Sequence, residues 1–294
     1  MKFLVLGATG TVGSQVAREL LSRGHQVKAL TRNPEKLAGL GAGVEAHKGD
    51  LLEPKSLAGL YDGVDGAFII NAVSVTESQE GLTALTAAKL AGLKKIVYLS
   101  VQHVDRAPYL PHFGSKLGIE MAIKQSGIPY TILRPSNFHQ NETWFREVML
   151  KYGVYPQPLG GVGVSRVDVR DIAEAAAIAL TQPGHEGKTY DLIGPRPVTG
   201  TDTAEIWSKA LGRTITYAGD DLEAWEKGSE PYFPAAVLYD FKHMYGHFQK
   251  HGLKGTPEEL ATLTKLLGHA PRSLEAYAAE TAKQWNEQAA SATV

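Results

Sequence analysis

The first thirteen residues constrain this chain more than any other stretch. In Met1-Lys-Phe-Leu-Val-Leu-Gly-Ala-Thr-Gly-Thr-Val-Gly13 an apolar, strand-like run meets three glycines, Gly7, Gly10 and Gly13, just before an amphipathic segment, Ser14 to Arg23. The pattern predicts strand, tight turn, helix. Gly7 lets the chain turn, Gly10 lets the backbone approach a pyrophosphate, and Gly13 lets the helix pack closely on the sheet. The helix N-terminus, with Thr9, Thr11 and Val12 in the turn, then attracts the phosphate charge.

The rest of the first half repeats this alternation. Strands are expected at Lys2–Leu6, Gln26–Thr31, Val44–Lys48, Gly66–Ile70, Lys95–Leu99 and Tyr130–Leu133, and helices at Thr11–Ser22, Glu53–Tyr61, Gln79–Ala91 and Gly114–Ser126. Repeated βα units of this length predict an α/β fold, a doubly wound parallel Rossmann sheet covered by helices on both faces. The glycine turn would lie at the carboxyl edge of the first strand, where such sheets bind ligands.

After Pro135 the pattern loosens. Helix is expected over Phe138–Tyr152, then loop over Pro156–Gly163. Val167–Asp171 reads as a strand and an Asp N-cap, followed by an Ala-rich helix over Ile172–Leu180. One more strand is expected at Lys188–Ile193, then helix over Thr201–Leu211 and extended chain over Arg213–Tyr217. Three helices near Ala235–Lys250, Thr256–Leu267 and Ser273–Ala289 close the chain. Thr256-Pro-Glu-Glu259 has an N-cap Thr, Pro at the first helical position and Glu at the third. These readings give a dinucleotide-binding domain over residues 1–150, with 164–194 returning to it, and a small, mostly helical substrate lobe over 151–294.

Composition narrows the function. Thirty basic against thirty-one acidic residues leave a net charge of −1, which argues against nucleic-acid or anionic-membrane partners. The absence of cysteine removes disulfides, thiolate catalysis and Cys-based metal sites. No apolar run reaches spanning length, and a strand-like run from residue 2 leaves no room for a signal peptide, so a cytoplasmic protein is expected. His243, His247 and His251 share one helix face, but no HExxH arrangement accompanies them and no metal is expected.

The end of the second strand normally meets the adenosine ribose. An acidic residue there selects NAD, whereas an Arg accommodates a 2′-phosphate. Here the strand ends Ala29-Leu-Thr-Arg-Asn-Pro34, without Asp or Glu, so Arg32 points to NADP; Thr31 and Asn33 add hydrogen-bond capacity and Lys36 charge. The alternative is an exposed loop arginine. Asp50, after the third strand, is read either against the adenine edge or as a turn residue. Asn71, after the fourth, would border the middle of the cofactor.

Taken together, GATGTVG, Thr31-Arg-Asn-Pro34, Lys-Gly-Asp50, Tyr98-Leu-Ser100, His112-Phe-Gly-Ser-Lys116, Leu133-Arg-Pro-Ser-Asn-Phe138, Val167-Asp-Val-Arg-Asp-Ile-Ala-Glu174 and Pro271-Arg-Ser-Leu-Glu275 resemble the NmrA-like branch of the atypical short-chain dehydrogenases/reductases. The resemblance spans nearly the whole chain. It implies NADP(H) and either reduction, as in quinone and dye reductases and isoflavone-reductase-like enzymes, or redox sensing without turnover. In ordinary members of the superfamily a Tyr four residues before a Lys, on one helix face, donates the proton. The Lys binds the nicotinamide ribose and a Ser on the preceding strand polarises the carbonyl. By that correspondence Lys116 and Ser100 are present, and His112 stands where the Tyr would be. His112 is read as a replacement proton donor or as a helix-start residue without chemistry. Tyr109, seven residues before Lys116 and flanked by prolines, is not its equivalent. The turn Pro135-Ser-Asn137-Phe138 is expected to pass the nicotinamide, with Phe138 against the ring or substrate, or else as a buried anchor.

Trp144, Phe145, Trp225, Tyr232 and Phe233 form an aromatic group suited to a flat acceptor. The chain is thus expected to be an NADPH-dependent oxidoreductase transferring hydride to a small quinone-like or conjugated aromatic molecule, with a redox-sensing regulator as the alternative. A sugar-nucleotide epimerase is disfavoured because the Tyr base is missing. A homodimer is compatible with the sequence.

Overall fold

The computed structural model describes residues 1–291, with side chains through residue 288. In chain order the elements are β1 (Lys2–Val5), α1 (Thr11–Ser22), β2 (Gln26–Thr31), β3 (Val44–Lys48), β4 (Gly66–Ile69), α2 (Glu77–Leu90), β5 (Ile96–Leu99), α3 (Pro111–Gln125), β6 (Tyr130–Pro135), α4 (Arg146–Tyr152), β7 (Val154–Tyr155), α5 (Val169–Thr181) and β8 (Lys188–Leu192). Then follow α6 (Gly200–Leu211), β9 (Thr216–Tyr217), α7 (Leu222–Ser229), α8 (Ala235–His251), α9 (Pro257–Leu267) and α10 (Leu274–Ser291).

Two compact units share these elements. The first comprises Met1–Pro135, Val169–Leu192 and Lys265–Leu267. The second comprises Ser136–Asp168, Ile193–Thr264 and the segment from Gly268 onward. The first unit therefore ends at Pro135 rather than at residue 150, because the chain after β6 pairs within its own unit: Phe138 bridges Val167.

The first unit is built on a parallel sheet of seven described strands in the order β3-β2-β1-β4-β5-β6-β8. Strand order reverses between β1 and β4, so a crevice opens at the carboxyl ends of these two strands. Both faces are apolar. Leu4, Leu6, Ile69, Ile96 and Tyr98 join Ala84 and Ala88 of α2 and Ile119 and Ile123 of α3 in one cluster. Phe3, Val5, Phe68 and Val97, equally buried, alternate with them along the strands, and α1 packs against α5. Continuous burial on two faces is what makes these strands read as unbroken apolar runs.

Three local expectations are corrected. Glu53–Tyr61 is not a helix: a single 3-10 turn covers Pro54–Leu57, and then Ala58 turns extended (ψ 127°) and Gly59 adopts φ +72°, which a continuing helix does not allow. Phe138–Tyr152 is split into a 3-10 turn over His139–Phe145 and α4. Val167–Asp171 is not a strand. Val167 makes one isolated bridge and α5 already starts at Val169, so Asp171 lies in the first helical turn and not at the cap. In the second unit the Thr256 capping box of α9 is formed as expected, while β7, α7 and the short β7-β9 pair were unforeseen.

Candidate functional site

The glycine turn has the geometry its sequence demands. Gly7 adopts φ +65°, and a Cβ there would sit 2.8 Å from Ile70 Cγ2. Gly10 N–H donates to Gly7 O at 2.9 Å. A Cβ on Gly13 would fall 2.2 Å from Gly7 O, so the first turn of α1 rests directly on the backbone of the loop. The first turn of α1 carries no acidic residue, and its N-cap is Gly10, without a capping side chain. Thr9, Gly10 and Thr11 are exposed, and Val12 is buried beneath them. Helix N–H groups facing solvent across an open glycine surface form an anion cradle.

On the β2–β3 side of this cradle Arg32 projects outward, its side chain 84% exposed, with Nη1 3.8 Å from Asp50 Oδ2. Thr31 and Asn33 do not extend this donor set. Thr31 Oγ1 accepts from Asn33 N and donates to Asn33 O, and Asn33 Oδ1 accepts from Glu35 N, so both side chains fasten the turn. Asp50 also holds its own loop: Oδ1 accepts from Leu52 N at 2.9 Å. Its other oxygen faces Arg32. Lys36 is exposed.

On the β4–β6 side the carboxyl edge carries buried polar groups. Both amide atoms of Asn71, Tyr98 Oη, Ser100 Oγ and both amide atoms of Gln102 have no hydrogen-bond partner among the described residues. Each such group costs about 1–3 kcal/mol when left unpaired, so a row of them marks a surface shaped for a ligand or for water. The backbone here is tightly fixed, with Ser100 N–H donating to Leu133 O and Gln102 N–H to Pro135 O, each at 2.8 Å. In the second unit Asn137 Oδ1 is likewise buried without a partner among the described residues. Phe138, half-buried, accepts from Arg166 Nη2 through its carbonyl at 3.0 Å.

Helix α3 brings its chemistry to one face. Pro111 occupies the first helical turn, and His112, Lys116 and Glu120 follow at four-residue spacing, all buried. His112 packs edge-on to Phe113. Lys116 Nζ lies 2.6 Å from Oε1 of Glu77, the first residue of α2, which is fully buried. Glu120 receives the Arg134 fork at 2.9 and 2.8 Å. Burial alone would raise the Glu120 carboxyl, but Arg134, the neighbouring Ser100 hydroxyl and Lys124 hold it below its ordinary value. Burial pushes the Tyr98 phenol well up, and Glu77 and Glu120 push it further, so it keeps its proton. Tyr109, 70% exposed, lies outside α3.

Sequence reasoning missed Glu77. It also missed a polar core in the second unit. There Arg166, fully buried, pairs closely with Glu142. Trp207 Nε1 donates to Glu142 Oε2 at 2.7 Å. Tyr155 Oη lies 3.0 Å from Glu142 Oε1 and 2.7 Å from Gln157 Oε1, and Gln157 Nε2 donates to Tyr245 Oη at 3.0 Å. The aromatic group is dispersed around this core: Trp144 meets Phe233 and Phe233 meets Phe241, whereas Trp225 packs on Tyr245 and Phe145 on Tyr155.

Comparison with known proteins decides the family. The model of the NmrA-like family matches residues 1–278. The chain belongs to the NmrA-like family. Among its relatives is an NAD(P)H azoreductase of Xenophilus azovorans, 33% identical over 279 residues that cover 94% of this chain and 96% of the relative. An NADPH-dependent quinone oxidoreductase from Escherichia coli, solved with NADPH, superposes with a TM-score of 0.84 at 28% identity, covering 97% of this chain and 99% of the other. The triphenylmethane reductase of a Citrobacter species, solved with NADP(H), gives a TM-score of 0.82 at 27% identity, covering 95% and 99%. This NmrA-like chain thus fits the expected cofactor, NADP(H). The glycine cradle would hold the pyrophosphate, the exposed Arg32 would face a 2′-phosphate with Asp50 beside it, and the buried polar groups beyond β4 and β5 suit a polar ligand. Among the described residues no helix is long and apolar enough to cross a membrane.

Proposed function

We propose that this NADP(H)-dependent reductase transfers hydride to quinone-like or other conjugated aromatic acceptors. The observation that carries the reading is the α3 face, where Lys116 and, one turn before it, His112 are both buried; by the resemblance His112 corresponds to the superfamily's tyrosine. When bound, NADPH supplies the hydride. The chain's own residues bind and orient it. Gly7, Gly10 and Gly13, with the N–H groups of Thr9, Thr11 and Val12, hold the pyrophosphate; Arg32 takes the 2′-phosphate; Asp50 and Asn71 border the adenosine and the middle of the cofactor. Lys116 donates to the nicotinamide ribose. Pro135, Asn137 and Phe138 line the turn read as passing the nicotinamide.

Proton demand selects the acceptor. Hydride addition to an isolated ketone builds an alkoxide, a base comparable to hydroxide, whose conjugate acid is about as weak as water. Addition to a quinone builds a phenolate, whose acid lies at roughly 10. A phenolate or a conjugated nitrogen takes its proton from an imidazole or from water, so His112 suffices where a ketone reductase needs its tyrosine. Ser100 Oγ, buried and beside Glu120 without full hydrogen-bond geometry, is read as the group that steadies the developing oxyanion. The relatives that reduce azo compounds, quinones and triphenylmethane dyes support this choice of acceptor class. The test is NADPH oxidation against a panel of quinones, azo dyes, triphenylmethane dyes and simple ketones. Turnover with the conjugated compounds and none with ketones is expected. Tight NADPH binding without turnover on any of them defeats the proposal.

A further inference from the structure

We propose that Glu77 is the positioning residue for Lys116, fixing its ammonium in one place. The inference rests on the reading of Lys116 as the ligand of the cofactor ribose. A lysine side chain has a flexible four-carbon stem, and its ammonium must be held if it is to meet a ligand at one place. One contact does so here. Glu77 Oε1 stands 2.6 Å from Lys116 Nζ, with Glu77 fully buried and Lys116 nearly so.

The surrounding charges leave this assignment to Glu77. On α3 itself Lys116 is flanked by His112 and Glu120, each one turn away. Glu120 is held by both arms of the Arg134 fork from β6 and by Lys124 at 3.3 Å. Arg134 is further balanced by Asp105 at 3.6 Å. From β5 the neighbour is Tyr98, a neutral phenol. Glu77 is thus the carboxylate that α2 brings to Lys116. It opens its helix, where the positive end of the dipole favours a carboxylate. Its neighbour Thr76 donates to Glu80 at 2.7 Å, so the second acid of that first turn is engaged elsewhere. Gly81, one turn further along α2, completes the fit: a Cβ there would meet Ile119 Cδ1 of α3 at 2.4 Å and Asn71 Oδ1 at 3.2 Å. At this close approach of α2 and α3 a larger residue than glycine would make the Ile119 side chain shift.

The experiment is a fluorescence titration of NADPH on the whole protein at neutral pH. It compares the wild type with Glu77→Gln, Glu77→Asp, Lys116→Met and the double variant Glu77→Gln/Lys116→Met, with thermal melts run in parallel. Loss of one charge-assisted arrangement predicts that Glu77→Gln weakens NADPH binding by about 10-fold. Glu77→Asp, which keeps the charge, should restore most of the affinity. In the Lys116→Met background the Glu77 change should have no further effect on affinity. Weak binding by Lys116→Met with wild-type binding in Glu77→Gln overturns the inference alone. A loss in Glu77→Gln that is additive with Lys116→Met, that Glu77→Asp does not restore, or that follows a fall in melting temperature, also overturns it. Unchanged affinity in Lys116→Met removes the underlying reading of Lys116, and this inference with it.

Discussion

The two units of this protein both bury charge, and they do so to opposite ends. In the second, Arg166, Glu142, Tyr155, Gln157, Tyr245 and Trp207 form a connected network around one ion pair. The first holds the Lys116–Glu77 pair and also Asn71, Tyr98, Ser100 and Gln102, whose buried side-chain polar atoms lack hydrogen-bond partners among the described residues. A connected network rigidifies a core; a disconnected row stores unmet hydrogen-bonding capacity that a ligand can meet.

The largest effect should come from the connected side. Glu142→Ala leaves Arg166 buried and unpaired and should destabilise the protein by about 3–5 kcal/mol, measured by urea denaturation at pH 7. A stable Glu142→Ala protein would break the comparison. Next, Arg32→Gln should cut the preference for NADPH over NADH by about 10- to 100-fold in binding titrations. Its stability should stay within about 0.5 kcal/mol, because Arg32 is exposed. A smaller effect sharpens the point: Asn71→Leu replaces an orphaned amide by an apolar side chain of similar size. It should raise the stability of the cofactor-free protein by about 1 kcal/mol while weakening NADPH binding. The same exchange would only destabilise a member of the connected network.

The smallest effect concerns pH. Burial, first of all, and the Arg166 charge hold the His139 imidazole below its ordinary value, against the opposing pull of Asp168 and Glu142. Its folded pKa is therefore lower than its unfolded one. Below about 6.5 the unfolded chain takes up a proton that the folded chain refuses, so stability is present at neutral pH and is lost as pH falls toward the folded value. His139→Gln should flatten the stability–pH curve between pH 5 and 6.5 by about 1 kcal/mol, read from denaturation midpoints. An unaltered slope would show that His139 has no share in the acid sensitivity.

What was legible in the sequence was local. The glycine turn and its alternating βα units carry their signal within a dozen residues, and the His112–Lys116 face follows from helical spacing alone. What was illegible was long-range or fine-grained. Glu77 meets Lys116 across 39 positions of sequence, and nothing in Val75-Thr-Glu-Ser78 marks that carboxylate as buried. Glu142 and Arg166 likewise look like ordinary surface charges until the chain folds. Asn33 and Thr31 were read as donors for a ligand because their chemistry permits it, yet the tight turn before Pro34 engages both. The helix expected over Glu53–Tyr61 failed because Gly59, in the left-handed region, breaks a pattern that hydrophobic spacing alone supports.

One feature of the sheet bears on how the protein is made. Its edge strand β8 and the helix α5 that packs on α1 lie beyond Asp168, after the first long excursion into the second unit. A nascent chain that has emerged only as far as residue 150 lacks both. It exposes the open side of β6 and an uncovered apolar face on α1. The nucleotide-binding half therefore finishes folding only after the ribosome has delivered part of the other half, and no C-terminal truncation ahead of Leu192 yields it as a closed body.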